Sequence, residues 1–320
     1  MDTEHKLYPP TIDQIRTAAD RLCGIRRTPL IQCDIPGLTA DVFLKLENIQ
    51  FAGSFKLRGA GNAILKAAAR GIQHVWTASA GNMGLGVAWY ANRAGLESTV
   101  FVPDDAPQGK IEAIQFLGAK VIQLPRDEYW EIQKTHQRSG TRGYFVHPFA
   151  DTDVMAGNGT IALEVLDELD DVDTVITPYG GGGLSCGIAS ALQALSPSTV
   201  VFAAETENGA PLKPSLETGR MMEVDYWKSF VSGIGSPTIF PQMWPLVNKM
   251  IAGSVVVSLP EIADSMRALL DTHHLVTEGA GAISLAAART GSVPGRVIVC
   301  VLTGGNIKFE ELNQISQESI

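Results

Sequence analysis

The sequence has little of what marks a secreted, membrane-bound or nucleic-acid-binding protein. Its four cysteines form no Cys-x-x-Cys pair, which argues against a disulfide framework. No apolar run approaches the length of a membrane span, and residues 1–10 lack the apolar stretch of a signal peptide. The net charge of −9 argues against a phosphate backbone or an anionic membrane as partner. These absences predict a cytoplasmic protein with reduced thiols, no nucleic acid partner and no membrane partner.

The composition that is present is typical of an α/β enzyme with more than one core. At 320 residues the chain exceeds the length that one hydrophobic core usually organises, so two lobes are expected. Short β-branched runs alternate with stretches of helical period, which predicts parallel sheets covered by helices. The predicted strands are 42–46, 75–77, 98–102, 120–124, 174–177, 200–204 and 297–302, and the predicted helices are 57–70, 84–94, 109–117, 159–168, 184–195, 261–270 and 283–288.

Four consecutive glycines, Gly180–Gly183, follow the predicted strand 174–177 and precede the predicted helix that begins at Leu184. Without side chains, the backbone can turn tightly and direct several N–H groups at one anion, and the helix N-terminus adds partial positive charge. A flexible turn is the simpler reading, but such turns usually carry Ser, Asn or Asp and need not open a helix. The loop therefore favours a phosphate site.

Two rival phosphate motifs fit this sequence poorly. A dinucleotide-binding unit would use an acid near Glu205 for the ribose, but Ser185 or Cys186 stands where the third glycine of Gly-x-Gly-x-x-Gly is required. A Walker loop is absent, because Gly109-Lys110 lacks the flanking residues of that motif. The loop alone favours a small phosphorylated cofactor.

Lys56 lies at a junction between a turn and a predicted helix, within the segment 53–60. Lysine is the side chain that forms Schiff bases with carbonyl compounds, and such a junction can reach a cleft between lobes. Most lysines are solvated surface charges, but the small or apolar neighbours Ser54, Phe55 and Gly59 favour a more enclosed position here.

Five motifs occur in an order that resembles a known family. They are Ser54-Phe-Lys-Leu-Arg-Gly-Ala60, Ser79-Ala-Gly-Asn82, the four glycines, Glu278-Gly-Ala-Gly-Ala282 and Thr303-Gly-Gly-Asn306. Together they resemble the fold-type II pyridoxal-phosphate enzymes, and most closely the threonine dehydratases and serine racemases. The resemblance runs from about Thr28 to Asn306, nearly the whole chain.

The resemblance implies a two-lobed α/β architecture of the tryptophan synthase β-like kind, with parallel sheets covered by helices. A large cofactor-binding domain would comprise residues 1–72 and 151–320, and a small substrate-binding domain residues 73–150, with the cofactor between them. The family also implies a homodimer. Because the chain ends soon after Asn306, no C-terminal regulatory domain is expected.

The resemblance also assigns roles residue by residue. Lys56 would carry pyridoxal 5'-phosphate as a Schiff base and, once freed by the incoming amino acid, move its α-proton. Phe55 would pack beside the ring, and Thr303 would meet the pyridine nitrogen, where a neutral hydroxyl suits elimination better than transamination. The expected phosphate ligands are Gly180, Gly181, Gly182, Gly183 and Leu184. Asn82, which would bind the ring 3-hydroxyl, and Glu278 complete the cofactor site. The substrate carboxylate is expected at Ser79, Ala80, Gly81, Asn82 and Met83.

Departures from the family pattern bear on the substrate and on metal binding. Ala80 stands where racemases use a hydroxyl as a second acid, so elimination without racemisation is expected. Met83 replaces the histidine of many relatives. Methionine is more often a core residue than a substrate wall, but an apolar group at this position would favour a bulkier, less polar β-substituent. The cation site of racemase-like members uses the region of Glu205, but Pro211 stands where an aspartate is expected, so no metal is predicted.

The predicted reaction is removal of water from a 3-hydroxy amino acid, giving an aminoacrylate that hydrolyses to a 2-oxo acid and ammonia. Threonine and serine are the default substrates, and a bulkier 3-aryl analogue is the minority candidate. A β-replacement synthase is one alternative, although such enzymes usually have aspartate after the lysine, where this chain has Leu57. A non-catalytic amino-acid-binding regulator is the other, and the intact motifs argue against it.

Overall fold

The structure is a computed structural model that describes residues 7–317. Within them the chain forms ten β-strands and twelve α-helices. The strands are β1 (Leu30–Gln32), β2 (Asp41–Lys45), β3 (His74–Ala78), β4 (Glu97–Pro103), β5 (Lys120–Leu124), β6 (Tyr144–Phe145), β7 (Thr174–Pro178), β8 (Val200–Thr206), β9 (Gly253–Val257) and β10 (Val297–Val301). The helices are α1 (Ile12–Arg21), α2 (Lys56–Ala69), α3 (Asn82–Arg93), α4 (Gln108–Phe116), α5 (Arg126–Thr135), α6 (Thr152–Leu166), α7 (Gly183–Leu195), α8 (Leu212–Thr218), α9 (Trp244–Met250), α10 (Leu259–His273), α11 (Gly279–Arg289) and α12 (Phe309–Gln317).

The larger sheet has six strands in the order β1-β2-β10-β7-β8-β9. Only the edge pair of β1 with β2 is antiparallel, and the other neighbours run parallel. The central strands β7 and β10 are buried along their whole length. Helices cover both of their faces, and this is why their sequences read as continuous apolar runs and not as alternating ones.

Two hydrophobic cores lie on opposite faces of this sheet. Val299 and Val301 of β10 belong to the core that α1, α6 and α7 complete. Ile298 and Cys300 of the same strand belong to the core that α10 and α11 complete. Successive side chains of a strand point to opposite faces, so a single strand contributes to both cores.

The smaller sheet has four parallel strands in the order β5-β4-β3-β6. All four lie within the segment 73–150 that was predicted to form the small domain, and the six strands of the larger sheet lie outside it. The predicted α/β fold with parallel sheets is therefore confirmed. The domain boundaries themselves stay a prediction.

Two helices begin with a capping box. The Thr11 hydroxyl accepts from the Gln14 backbone N–H, and the Gln14 side chain accepts from Thr11, which makes a capping box. Ser258 and Glu261 form the same reciprocal pair at the start of α10. Among residues 7–317, every helix is too short or too polar to cross a bilayer.

The structure also differs from the sequence prediction in several elements. The strands β1 and β6 are three and two residues long, too short to show a period, and β9 was missed as well. Helix α6 begins at Thr152 because the Asp151 carboxylate accepts from the N–H groups of the first turn. His274 follows α10 in a left-handed conformation. Residues 219–243 form neither helix nor strand.

Candidate active site

A cavity of about 690 Å³ is lined by residues from both sheets. Its walls are the segments that follow the carboxyl ends of β3, β4, β7 and β10, together with the start of α2. Ligands of open parallel sheets bind outside the carboxyl ends of the strands. Lys56, Asn82, the four glycines, Leu184, Glu278 and Thr303 all line this cavity. Residues distant in sequence are therefore brought together.

Lys56 is the first residue of α2, and its amine faces the cavity. The Nζ atom donates a hydrogen bond to the carbonyl oxygen of Pro148 at 2.7 Å and lies 5.1 Å from the centroid of the Phe55 ring. Burial lowers the pKa of Lys56 to about 8. Because only the neutral amine is a nucleophile, this shift raises the reactive fraction near neutral pH.

A buried ion cluster fixes the start of α2 just beyond Lys56. Arg58 is 1% exposed and donates to both carboxylate oxygens of Glu47 at 2.8 Å. It also binds Glu164, which pairs with Lys45 at 2.6 Å. Burial alone would lower the pKa of Arg58, but the two glutamates raise it above its usual value. In the sequence, Arg58 stood out only as part of a motif and carried no predicted role.

The glycine loop is shaped by a close neighbour and by its own backbone. Gly182 has φ 83°, a conformation that L side chains rarely adopt. A Cβ on Gly181 would collide with the Phe149 ring, and one on Gly183 would lie 2.6 Å from the Phe149 carbonyl oxygen. Side chains are therefore excluded from the loop by packing, which the sequence did not indicate.

The amides after this loop are available to an anion. Helix α7 begins at Gly183 with no side-chain cap, and its first backward hydrogen bond runs from Cys186 N to Gly182 O. The N–H groups of the first turn of a helix have no intrahelical partner, and here they lie at the cavity wall formed by Gly180–Gly183 and Leu184. This donor set fits a phosphate.

The turn before α3 brings only part of its predicted residues to the cavity. Ala80, Gly81 and Asn82 line it, whereas the Ser79 hydroxyl accepts from the Gly81 N–H at 3.2 Å within the turn. Met83 is 1% exposed and packs in the core between α2 and α3. The Met83 side chain therefore points away from the cavity and into the core, and a role for it in the substrate pocket stays a prediction.

Asn82 is held from both sides by hydrogen bonds. Its Nδ2 atom donates to Glu278 Oε1 at 2.6 Å, and its Oδ1 atom accepts from Asn306 Nδ2 at 2.8 Å. Burial raises the pKa of Glu278 to about 7. Asn306 was missed as a site residue, although the motif Thr303-Gly-Gly-Asn306 contained the signal.

Thr303 follows β10 and is 4% exposed. Its hydroxyl donates to the carbonyl oxygen of Ala280 at 3.0 Å, so its oxygen keeps acceptor capacity toward the cavity. Its main-chain oxygen accepts from Phe55 N at 3.0 Å, which ties the end of β10 to the start of α2. Its contact with a pyridine nitrogen stays a prediction.

Glu205 has a structural role in this fold. Its carboxylate accepts from the backbone N–H groups of Leu212 and Lys213 at 2.7 and 2.8 Å, and from the Ser254 hydroxyl at 2.6 Å. It therefore anchors the start of α8. Within residues 7–317, no three His, Cys, Asp or Glu side chains group as metal ligands.

Several cavity residues carried no signal that could be used before the fold was known. They lie on α3, on the loop after β4 and the start of α4, on α5, on the crossing from β6 to α6, and on the irregular segment 219–243. They include Leu85, Pro107, Lys110, Tyr129, Phe149, Lys228 and Ile234.

Comparison with known proteins gives a consistent result. Residues 22–304 match the family described as pyridoxal-phosphate dependent enzyme. The chain is 38% identical over 317 residues to an L-threonine ammonia-lyase of Geobacter sulfurreducens, a match that covers 96% of this chain and 78% of the relative. Among solved structures, a threonine deaminase from T.th. superposes with a TM-score of 0.86 at 31% identity, covering 94% of this chain and 99% of that one. A maize serine racemase superposes with the same TM-score, 0.86, at 28% identity, covering 96% and 97%.

Proposed function

Because the chain belongs to the pyridoxal-phosphate-dependent enzyme family, we propose that it removes water from L-threonine and L-serine, releasing a 2-oxo acid and ammonia. The matched relatives include an L-threonine ammonia-lyase and a threonine deaminase, which favours elimination over β-replacement. The observation that carries the proposal is the amine of Lys56 at a cavity that also contains an uncapped helix start behind the glycine loop.

The bound cofactor supplies an electron sink for bond cleavage at the substrate Cα. Lys56 holds the cofactor and, when released, moves the α-proton. A pKa of about 8 suits both tasks. Near the working pH, the neutral amine can attack the cofactor or accept a proton, and the protonated amine can donate one. Phe55, whose ring lies 5.1 Å from Nζ, packs beside the cofactor ring.

Two uncapped helix starts at the cavity would bind the two anions. The phosphate is held by the N–H groups of Gly180–Gly183 and Leu184, at the start of α7. The substrate carboxylate is held at the turn Ala80–Asn82, where α3 also begins without a side-chain cap. Both sites use helix N-termini, which favour negative charge.

Other residues at the cavity would orient the cofactor ring and limit side reactions. Asn82, fixed by Glu278 and Asn306, would direct an amide hydrogen to the ring 3-hydroxyl, and the Thr303 hydroxyl would face the ring nitrogen. Ala80 has no side-chain proton to give to the opposite face of Cα, which favours elimination over racemisation.

Three further points belong to this proposal. All four cysteines are free thiols, three of them buried, which supports a cytoplasmic location. A homodimer is proposed from the family resemblance. The segment 73–150, which contains the smaller sheet, is proposed as the small substrate-binding domain.

The test is formation of 2-oxo acid from a panel of L-3-hydroxy amino acids by the holoenzyme. We expect turnover of threonine and serine, and a loss of at least about a thousandfold in Lys56→Ala because proton transfer and cofactor attachment are both removed. The matched control is Lys66→Ala, on the same helix but paired with Asp153 away from the cavity. Turnover of neither amino acid, or unchanged turnover in Lys56→Ala, would contradict the proposal.

A further inference from the structure

Residues 146–151 cross from the smaller sheet to the larger one, and we name them the crossing segment. At one end, Val146 N donates to Trp76 O, and Val146 O accepts from the Thr77 hydroxyl, both at 2.8 Å. At the other end, the Asp151 carboxylate accepts from Asp153 N at 2.7 Å. Both ends are therefore anchored, one to the smaller sheet and the other to the start of α6.

The middle of the crossing segment touches the two features that hold the cofactor. The carbonyl oxygen of Pro148 accepts from Lys56 Nζ at 2.7 Å. The Phe149 ring packs against Gly181, and its backbone packs against Gly183, so closely that neither glycine has room for a Cβ. Two adjacent residues thus contact the lysine and the glycine loop, which are more than a hundred residues apart in sequence.

His147 determines the shape of this turn. It is 1% exposed, and its Nδ1 atom lies 2.8 Å from Ala150 N and 3.2 Å from Phe149 N, both of which donate to it. Its Nε2 atom is 3.4 Å from the carbonyl oxygen of Gln133. To accept two N–H groups, Nδ1 must be unprotonated, which leaves the proton of a neutral ring on Nε2.

The surroundings of His147 keep the ring neutral. Burial, the nearby His136 and Lys56 together lower the pKa of His147 well below its usual value. The ring centroid of His136 lies 4.2 Å away, and those of Phe145 and Phe149 lie at 5.6 and 4.5 Å. The hydrogen bond to the Gln133 carbonyl raises the pKa of His147, but the effect of burial is larger. No acid is among the groups that act on this pKa.

We infer that His147 is a positioning residue for the cofactor site: by accepting two backbone N–H groups, it fixes the turn that places the Pro148 carbonyl at the Lys56 amine and the Phe149 ring against the glycine loop. Lys56, when not bonded to the cofactor, rests on Pro148, and the loop amides keep their direction because Phe149 supports them. The inference rests on the proposed function only in that Lys56 and the loop hold the cofactor.

Two substitutions of His147 separate this role from simple core packing. The side-chain amide of asparagine branches from Cγ, as Nδ1 does, so His147→Asn retains an acceptor for the two N–H groups. The amide of glutamine reaches the place of Nε2 instead, so His147→Gln fills the volume without that acceptor. Binding of pyridoxal phosphate and of pyridoxal, which lacks the phosphate, is measured by absorbance against pH, with no amino acid present, together with apo-protein Tm.

We expect His147→Gln to weaken binding of both compounds by about tenfold or more, as loss of an outer-shell partner commonly does. Attachment of either compound to Lys56 in this variant should also require a higher pH. Water then reaches the amine, so burial no longer lowers its pKa. In His147→Asn, affinity and pH dependence should stay close to those of the natural protein. Equal losses in the two variants, or losses in neither, would overturn the inference.

Phe149→Leu provides a second test that does not depend on the folding of His147→Gln. It keeps the backbone N–H that His147 binds and removes the ring that supports Gly181. We expect binding of pyridoxal phosphate to weaken several-fold more than binding of pyridoxal, since only the former uses the loop. An equal effect on both compounds would contradict the support role of Phe149. Because no substrate is used, failure of the proposed reaction would leave these outcomes unaffected.

Discussion

Four helices that begin at the cavity differ from three that begin away from it. Helices α1, α6 and α10 start away from it, and the side chains of Thr11, Asp151 and Ser258 accept their first N–H groups. Helices α2, α3, α7 and α11 start at the cavity, and none has a side-chain cap. A cap stabilises a helix, whereas a free N-terminus can bind an anion. The fold therefore gives up stability at the helix starts where ligands are expected.

Glu278 gives the sharpest contrast, because it occupies the N-cap position of α11 yet directs its carboxyl to Asn82. Burial raises its pKa from 4.5 to about 7. The unfolded chain loses this proton near pH 4.5, whereas the folded protein keeps it to about pH 7. The stability supplied by the neutral form is thus lost as the pH rises between these values, roughly 3 kcal/mol in all.

Replacing Glu278 by glutamine should remove this pH dependence. We expect the unfolding free energy of apo Glu278→Gln to fall less than that of the natural protein between about pH 5 and pH 8, measured by urea denaturation. Glu261→Gln, at the capped start of α10, is the matched control and should leave the dependence unchanged. Parallel pH curves for Glu278→Gln and the natural protein would show that the carboxyl is not held neutral.

The start of α7 should be sensitive to added volume. In Gly181→Ala, the new methyl group collides with the Phe149 ring, so the loop amides must shift. We expect cofactor affinity to fall by about tenfold or more, which corresponds to about 1.4 kcal/mol, and by more than the apo stability falls.

Gly24→Ala is the control, because a Cβ there has only Arg93 Nε within 4.0 Å. Its cofactor affinity should not change. If Gly181→Ala binds the cofactor as the natural protein does, the loop does not hold the phosphate.

The capped helices should show the reverse behaviour. Thr11→Ala and Ser258→Ala each remove a capping box, so each should lower the unfolding free energy by about 1 kcal/mol with cofactor affinity unchanged. Thr17→Ala is the control, since its hydroxyl donates to Asp13 O inside α1 and caps no end. A change in cofactor affinity in either cap variant would weaken the distinction between the two groups of helices.

The sequence predicted those site residues that lie in short, contiguous motifs. Lys56, the glycine loop and Asn82 lie in contiguous motifs at strand–helix junctions, so their chemistry could be recognised before any fold was known. Their meeting in one cavity follows from the parallel sheets, whose carboxyl ends lie together. Helix α7 could likewise be predicted, because its apolar sequence starts directly after the glycines.

What the sequence did not predict depends on contacts between distant segments. Phe149 contacts the glycine loop because it follows β6, and that strand is only two residues long and gives no pattern in the sequence. Asn306 acquires its role from Asn82, 224 residues away. Met83 packs in the core although its neighbour Asn82 faces the cavity, and sequence alone did not show which way the side chain of this residue of α3 points.

The central claim is that Lys56 holds the cofactor, and reduction of the holoenzyme with borohydride tests it most directly. Reduction fixes the cofactor to the amine that carries it, and peptide mass analysis then identifies the residue. We expect the cofactor mass on the peptide that contains Lys56 and on no peptide of the Lys56→Ala protein. A label on a different lysine of the natural protein would contradict the claim.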